Sequence, residues 1–387
     1  MNNFSPIHAT QEHEQVLAQL VDAISLPPHL IERADQSWSS AASWLDREGG
    51  PLAHLDPHVA PQGSFLYGTA IRPIGDADAF DADGVVLLRS LDRSSVSQEQ
   101  VKRAVHKDLE AYRLGQSMKY PVEDNRRCST LIYASDPRFS IDYLPALRRG
   151  PHPDFLTHTD KKCPFFQIPG QWPRVTGPDA LARWLKSRIR TIDVDRGVAM
   201  MRRRGKAMAT RDDLPVRWVR SPLTDAVKLL KRHAAALHQG DADRPISAIT
   251  LVLAGHAYAQ QDTISGTLAG ILPTMRNFIE WDQGVGIVQN PGCSGENFAD
   301  KWPEKPRKQK LYLDWLERAE RDFMEFLRSG DPRKIPEGLA KGMTTTSINR
   351  ALGISQPAYM RSPAAMVAAE AGKVTAEGRD TKPWFPN

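Results

Sequence analysis

Residues 62–88 read QGSFLYGTAIRPIGDADAFDADGVVLL, and this segment has the features needed to handle a phosphate. Gly63-Ser64 follows a short apolar approach and precedes what reads as a helix start. Glycine lets backbone N–H groups come close to an anion, and the serine hydroxyl adds one donor at little steric cost. The start of a helix favours negative charge for the same electrostatic reason. Downstream, Asp81-Ala82-Asp83 runs straight into an apolar strand. Residues i and i+2 of a strand share a face, so both carboxylates point the same way and repel, which a divalent cation between them would relieve. A third carboxylate, Asp142, lies in a later strand, residues 139–143. If the two strands pair, three acids come together as a two-metal site for in-line displacement at phosphorus. A competing pair, Asp76 and Asp78, is followed by Ala79, Phe80 and another acid, and reads as a solvated turn.

The three segments GSFLYGTAIRP, FDADGVVLL and FSIDYLPAL resemble the catalytic elements of the DNA-polymerase-β-type nucleotidyltransferases. More narrowly, they resemble the bacterial relatives of cyclic GMP-AMP synthase and oligoadenylate synthase (CD-NTases), which make cyclic di- or trinucleotide second messengers in anti-phage defence. The likeness continues through Ser221-Pro222-Leu223 to Lys228, Lys231, Arg232 and His233. It includes Arg244-Pro245-Ile246-Ser247-Ala248-Ile249-Thr250-Leu251 and Glu296-Asn297-Phe298-Ala299-Asp300-Lys301-Trp302, and covers roughly residues 10–330. The resemblance implies that Asp81 and Asp83 bind both metals, and that Asp142 binds the catalytic one and orients or deprotonates the attacking 3′-hydroxyl. It implies that Ser64 contacts the triphosphate with Gly63 supplying the close backbone approach, and that Lys231 and Ser247 grip phosphates from a helical lobe. Its other implications are two Mg²⁺ ions per site (Mn²⁺ as substitute) and NTP substrates, ATP and/or GTP and by extension pyrimidine NTPs. A downstream effector sensing the product, regulatory protein partners and a cytoplasmic location complete the set. One departure stands out: Gly84 follows the second aspartate, where the family usually has a larger apolar residue.

Each signal also has a plainer reading. The aspartates could cap strand ends, the bases of residues 228–232 could form a solvated helix face, and Ser247 could simply begin a helix. The basic run Arg202 to Lys206 could follow a nucleic-acid backbone, but a charged loop explains it as well. Two other functions fit the same residues: nucleotidyl transfer to an RNA 3′ end, a protein or a small molecule, and a scaffold that has lost catalysis. The intact acidic trio argues against the scaffold.

The elements that must position these residues follow from periodicity. Val16, Leu17, Leu20, Val21 and Ile24 predict a helix over 11–24, and Leu30, Ile31, Ala34, Trp38 and Leu45 a second one from the prolines at 27 and 28. Short apolar runs and one helix over 97–114 predict a mixed sheet, a further helix follows at 178–188, and the chain from Ser221 on reads as helical. One of its helices runs over 308–329 with Gly330 as its C′ residue. The expected fold is α+β: a polymerase-β-type core plus a C-terminal helical bundle, bilobed around a central cleft. The expected layout is a helical arm on both lobes (1–50), a catalytic core with a basic loop (51–220), a helical domain (221–342) and a loosely held tail (343–387).

The 387 residues carry 51 Lys plus Arg against 46 Asp plus Glu, with 41% hydrophobic and 25% charged residues, as in ordinary globular chains. Collagen, coiled coil and wholesale disorder are excluded. The three distant cysteines suit reduced thiols, no His/Cys spacing suggests a structural zinc, and no apolar run is long enough to span a membrane. The N-terminal stretch also lacks the basic region and apolar core of a secretory signal.

Overall fold

A computed structural model describes residues 9–75, 80–134, 139–150, 154–189 and 220–354. Asp76, Asp78 and the basic run at 202–206 lie outside the described residues.

Two amphipathic helices open the chain, α1 (Gln11–Ile24) and α2 (Pro28–Leu45), followed by β1 (Pro57–Gln62) and one turn of helix, α3 (Gly63–Leu66). The sheet continues with β2 (Phe80–Leu88), helix α4 (Gln98–Gly115), β3 (Glu123–Asp124), β4 (Ser129–Tyr133), β5 (Phe139–Arg148), β6 (Leu156–His158) and β7 (Val175–Thr176). Its order is β1-β2-β5-β4-β3, with β6 on β5 and β7 on β6. β2 and β5 pair in parallel, whereas the other ladders of this sheet are antiparallel.

Alternation on β2 and β5 decides which chemistry faces where. Phe80, Ala82, Val86 and Leu88 of β2, with Phe139, Ile141 and Tyr143 of β5, enter a core closed by α2 and α4. Asp81 and Asp83 therefore take the opposite face, beside Ser140 and Asp142. Farther along that second face Val85, Ala146 and Leu156 form a small apolar cluster.

The second lobe contains α5 (Pro178–Arg188), α6 (Pro222–Leu237), α7 (Ser247–Ala257), α8 (Ile264–Ile271), α9 (Pro306–Leu327), α10 (Glu337–Met343) and α11 (Thr345–Ala351). Helix α6 begins with a capping box in which Ser221 and Thr224 exchange hydrogen bonds, worth about 1 kcal/mol. α1 packs into the core of this lobe through Val16, Leu17, Leu20 and Val21, whereas α2 packs into the core of the sheet. The arm thus ties the two lobes together. Leu181 and Leu185 of α5 also enter the helical core, although the helix lies within the 51–220 span expected to belong to the sheet lobe.

Four details differ from the periodicity reading. The region after Ser221 holds two small hairpins, β8 (Glu280–Asp282) with β9 (Val285–Ile287) and β10 (Gln289–Asn290) with β11 (Cys293–Asn297). Leu268, Ile271, Met275 and Phe278 have the spacing of one helical stripe, but it is split, because Pro273 has no N–H with which to continue α8. Arg328 is the C-cap of α9, so Gly330 lies beyond the C′ position. Residues 345–351, expected in a loose tail, form α11: the Thr344 hydroxyl accepts from the Ser347 N–H, and the helix packs on α1. Among the described residues no helix is long and apolar enough to cross a membrane.

Candidate active site

Parallel pairing of β2 with β5 sets Asp83 directly beside Asp142 and Asp81 beside Ser140. On the other flank Gln62 of β1 stands opposite Asp83, and on β4 Thr130 stands opposite Asp142. Three carboxylates thus share one end of one sheet face. They are not gathered around a single point: among the described residues no three metal-ligating side chains do so. Asp81 accepts from the Ser140 hydroxyl at 2.6 Å, and Asp142 accepts from the Thr130 hydroxyl.

Asp83, between them, accepts no hydrogen bond from the described residues. Burial first, then the charges of Asp142 and Asp81, raise its pKa to about 6. A carboxylate desolvated between two others and left without a donor is electrostatically incomplete. The all-oxygen donor set is the kind that hard divalent cations take, so the residues fit such an ion.

Gly63 makes the approach to Asp83 possible. Its φ of +60° suits glycine, and a Cβ there would lie 2.4 Å from Asp83 Oδ2. The next residue, Ser64, lines a cavity of about 460 Å³ with Asp81 and Asp83 on the sheet side. Lys231, Arg232, Arg244 and Ser247 line it from the helical side. The cavity therefore lies between the lobes, and five of the seven expected site residues line it. Gly63 backs Asp83, and Asp142 stands one strand further in.

Lys231 is not part of a solvated face. Its Nζ donates to the Thr69 carbonyl at 2.7 Å, burial lowers its pKa to about 8, and Asp83 opposes that shift. Ser247 is exposed at the first position of α7.

Four residues of the site were given no role by the sequence reading, although Arg232 and Arg244 lie within the segments it singled out. Arg232 is 1% exposed, donates to the carbonyls of Arg72 and Pro73, and leaves Nε and Nη1 without a partner among the described residues. Arg244 shares the wall and makes no ion pair among the described residues. Thr130 and Ser140 hold the outer two carboxylates. Ser140 was findable, since it precedes Asp142 by two residues on the same strand. Thr130 and Arg232 left no such local signal, because their roles depend on strand pairing and on burial.

The Gly84 departure has a steric cause. A Cβ at Gly84 would lie 2.9 Å from the Trp38 indole nitrogen, so α2 supplies from outside the bulk that a larger residue would otherwise bring. Trp38 also packs edge-to-face on Phe65, in the turn that carries Ser64.

Comparison with known proteins agrees with this geometry. Residues 57–145 match the family described as cyclic GMP-AMP synthase DncV-like, nucleotidyltransferase domain. The c-di-GMP synthase of Roseivirga ehrenbergii is 24% identical over 330 residues, with 83% of this chain and 81% of that protein covered. The cyclic dinucleotide synthase CdnG of Bradyrhizobium diazoefficiens is 25% identical over 339 residues, with 82% and 76% covered. The fold is that of CdnG in complex with GTP (TM-score 0.68, 22% identity, 89% of this chain and 99% of that one). It is also that of the Vibrio cholerae DncV cyclic AMP-GMP synthase in complex with a linear intermediate (TM-score 0.58, 11% identity, 88% and 98% covered). Residues 57–145 thus form a DncV-like nucleotidyltransferase domain, and most of the chain is similar to cyclic dinucleotide synthases.

Proposed function

We propose that this nucleotidyltransferase joins NTPs into a cyclic dinucleotide, with GTP as at least one substrate, and releases pyrophosphate at each transfer. The observation that carries the reading is the register of β2 on β5, which sets Asp83 beside Asp142 and next to Asp81, across a cavity from Lys231. GTP is named because one similar protein is a c-di-GMP synthase and another was solved with GTP.

Asp81, Asp83 and Asp142 would hold two Mg²⁺ ions. When bound, these neutralise charge developing on the α-phosphate and the leaving pyrophosphate and acidify the attacking hydroxyl. The 3′-oxygen of one nucleotide forms a bond to the α-phosphorus of the other, the bond from that phosphorus to the pyrophosphate oxygen breaks, and the hydroxyl proton passes to Asp142. Ser64 and Gly63 receive the triphosphate, and Ser247 and Lys231 hold phosphates from the helical side. Because most of the catalysis is positioning and charge stabilisation, no covalent protein intermediate is required. A second transfer within the linked pair closes the ring.

The test is incubation with each α-labelled NTP, alone and in mixtures, with Mg²⁺, followed by phosphatase treatment and mass spectrometry. A phosphatase-resistant cyclic dinucleotide containing guanine is expected. Label carried by an RNA or a protein instead would replace this reading with transfer to a macromolecule.

A further inference from the structure

Asp142 is held by a chain of hydrogen bonds that leads back to Asn125, with the Cys128 Sγ also 4.0 Å from the Thr130 hydroxyl. The Thr130 hydroxyl contacts Asp142 Oδ1, and the Asn125 side-chain amide contacts Thr130 Oγ1 at 2.9 Å. An ionised carboxylate only accepts, so the hydroxyl must give its single proton to Asp142. The contact from Asn125 must then be a donation into a lone pair of Thr130.

Thr130 itself is 5% exposed, so its rotamer is confined by packing. The loop that carries Asn125 is pinned from below: Lys102 Nζ, on α4, donates to the Cys128 carbonyl at 2.7 Å and pairs with Asp124 at 3.0 Å. Lys161 takes the other oxygen of Asp124 at 2.7 Å. The relay therefore runs from a fixed loop, through a buried hydroxyl, to one oxygen of one carboxylate.

We propose that Thr130, oriented by Asn125, is the positioning residue of Asp142: it occupies Oδ1 and so fixes the orientation in which the carboxylate would serve a divalent cation. This rests on the assignment of Asp142 to the metal-binding acids. Outer partners of ligating carboxylates fix their orientation, and losing one typically costs about 10–100-fold in metal affinity or activity.

Thr130→Val keeps the shape and the strand preference but removes the donor, whereas Thr130→Ser keeps the donor and removes the methyl. In a titration with Mn²⁺ alone, followed by paramagnetic resonance, Thr130→Val is expected to bind at least about 10-fold more weakly. Thr130→Ser should stay within about three-fold of the parent, and Asn125→Ala should fall between them. If the parent makes product, kcat should follow the same order with the KM for NTP nearly constant. Melting curves confirm that each variant is folded. Mn²⁺ binding by Thr130→Val as tight as the parent's, or tighter, overturns the proposal. So does equal impairment of the serine and valine variants, which would make the residue a packing element. Should the parent make no nucleotide product under any NTP mixture while the Mn²⁺ order holds, the relay stands and the reaction assigned above falls.

Discussion

Two acidic centres sit on the same sheet and are built on opposite principles. Asp160, just after β6, is fully buried and fully answered. Arg126 grips both of its oxygens at 2.6 Å, Arg127 and Arg174 lie at 3.4 and 3.7 Å, and the Lys162 N–H donates at 2.9 Å. Burial alone would raise its pKa, yet these partners hold it below the ordinary value. Asp83 accepts no hydrogen bond from the described residues, and its pKa rises instead. The nearest cation across the cavity, Lys231, spends its bond on a backbone carbonyl. The lesson is that charge neutralised within the chain makes structure, whereas charge of both signs facing a cavity without mutual neutralisation waits for a ligand.

The contrast can be broken in several places. The largest effect is expected at Asp83→Asn: product formation should fall by at least about 10³-fold, because the proposed reaction would lose one of the carboxylates that would hold the metal ions. The same variant should melt higher than the parent in metal-free buffer above pH 6, since an uncompensated charge has gone. A lower melting temperature there would show that Asp83 is already satisfied. Next, Asp160→Asn should leave turnover per folded molecule unchanged but lower the unfolding free energy by about 2–3 kcal/mol, measured by urea denaturation. The value is discounted because its arginines are partly solvated. Lys231→Met should reduce kcat/KM by about 100-fold with little change in melting, read by steady-state kinetics.

A last test separates the two kinds of centre by pH. His158, buried beside the Asp160 cluster, has its pKa lowered to about 4, mainly by burial. The unfolded chain takes up that proton near pH 6.5 and the folded one only near 4, so stability is lost as pH falls between them, by at most about 3 kcal/mol. His158→Gln should flatten this part of the melting-temperature profile. Asp83 acts in the opposite sense: its folded pKa exceeds its unfolded one, so its cost to stability grows as pH rises from about 4 to 6. The melting-temperature gap between Asp83→Asn and the parent should widen over that interval and stay constant above it.

Much of this architecture was legible before any coordinates. The spans of α1 and α5 follow directly from apolar spacing, and those of α2 and α4 to within a residue. The Asp81–Asp83 face follows from strand alternation and from the VVLL run that must be buried behind it. Short hairpins such as β8–β9 were not legible, since three-residue strands without a buried stripe carry no period. Nor was the helix α11, whose packing against α1 involves residues more than three hundred positions apart. Gly84 read as a departure from pattern because its explanation, Trp38, lies on another element.

Local order alone determined which residues could do phosphate chemistry and which secondary structure would carry them, because periodicity and residue type act over a few neighbours. Tertiary structure alone decided that Asp142 would stand beside Asp83, that Lys231 and Arg232 would be desolvated, and that Thr130 would hold a carboxylate. Those outcomes depend on strand register and burial, and both are properties of the folded whole.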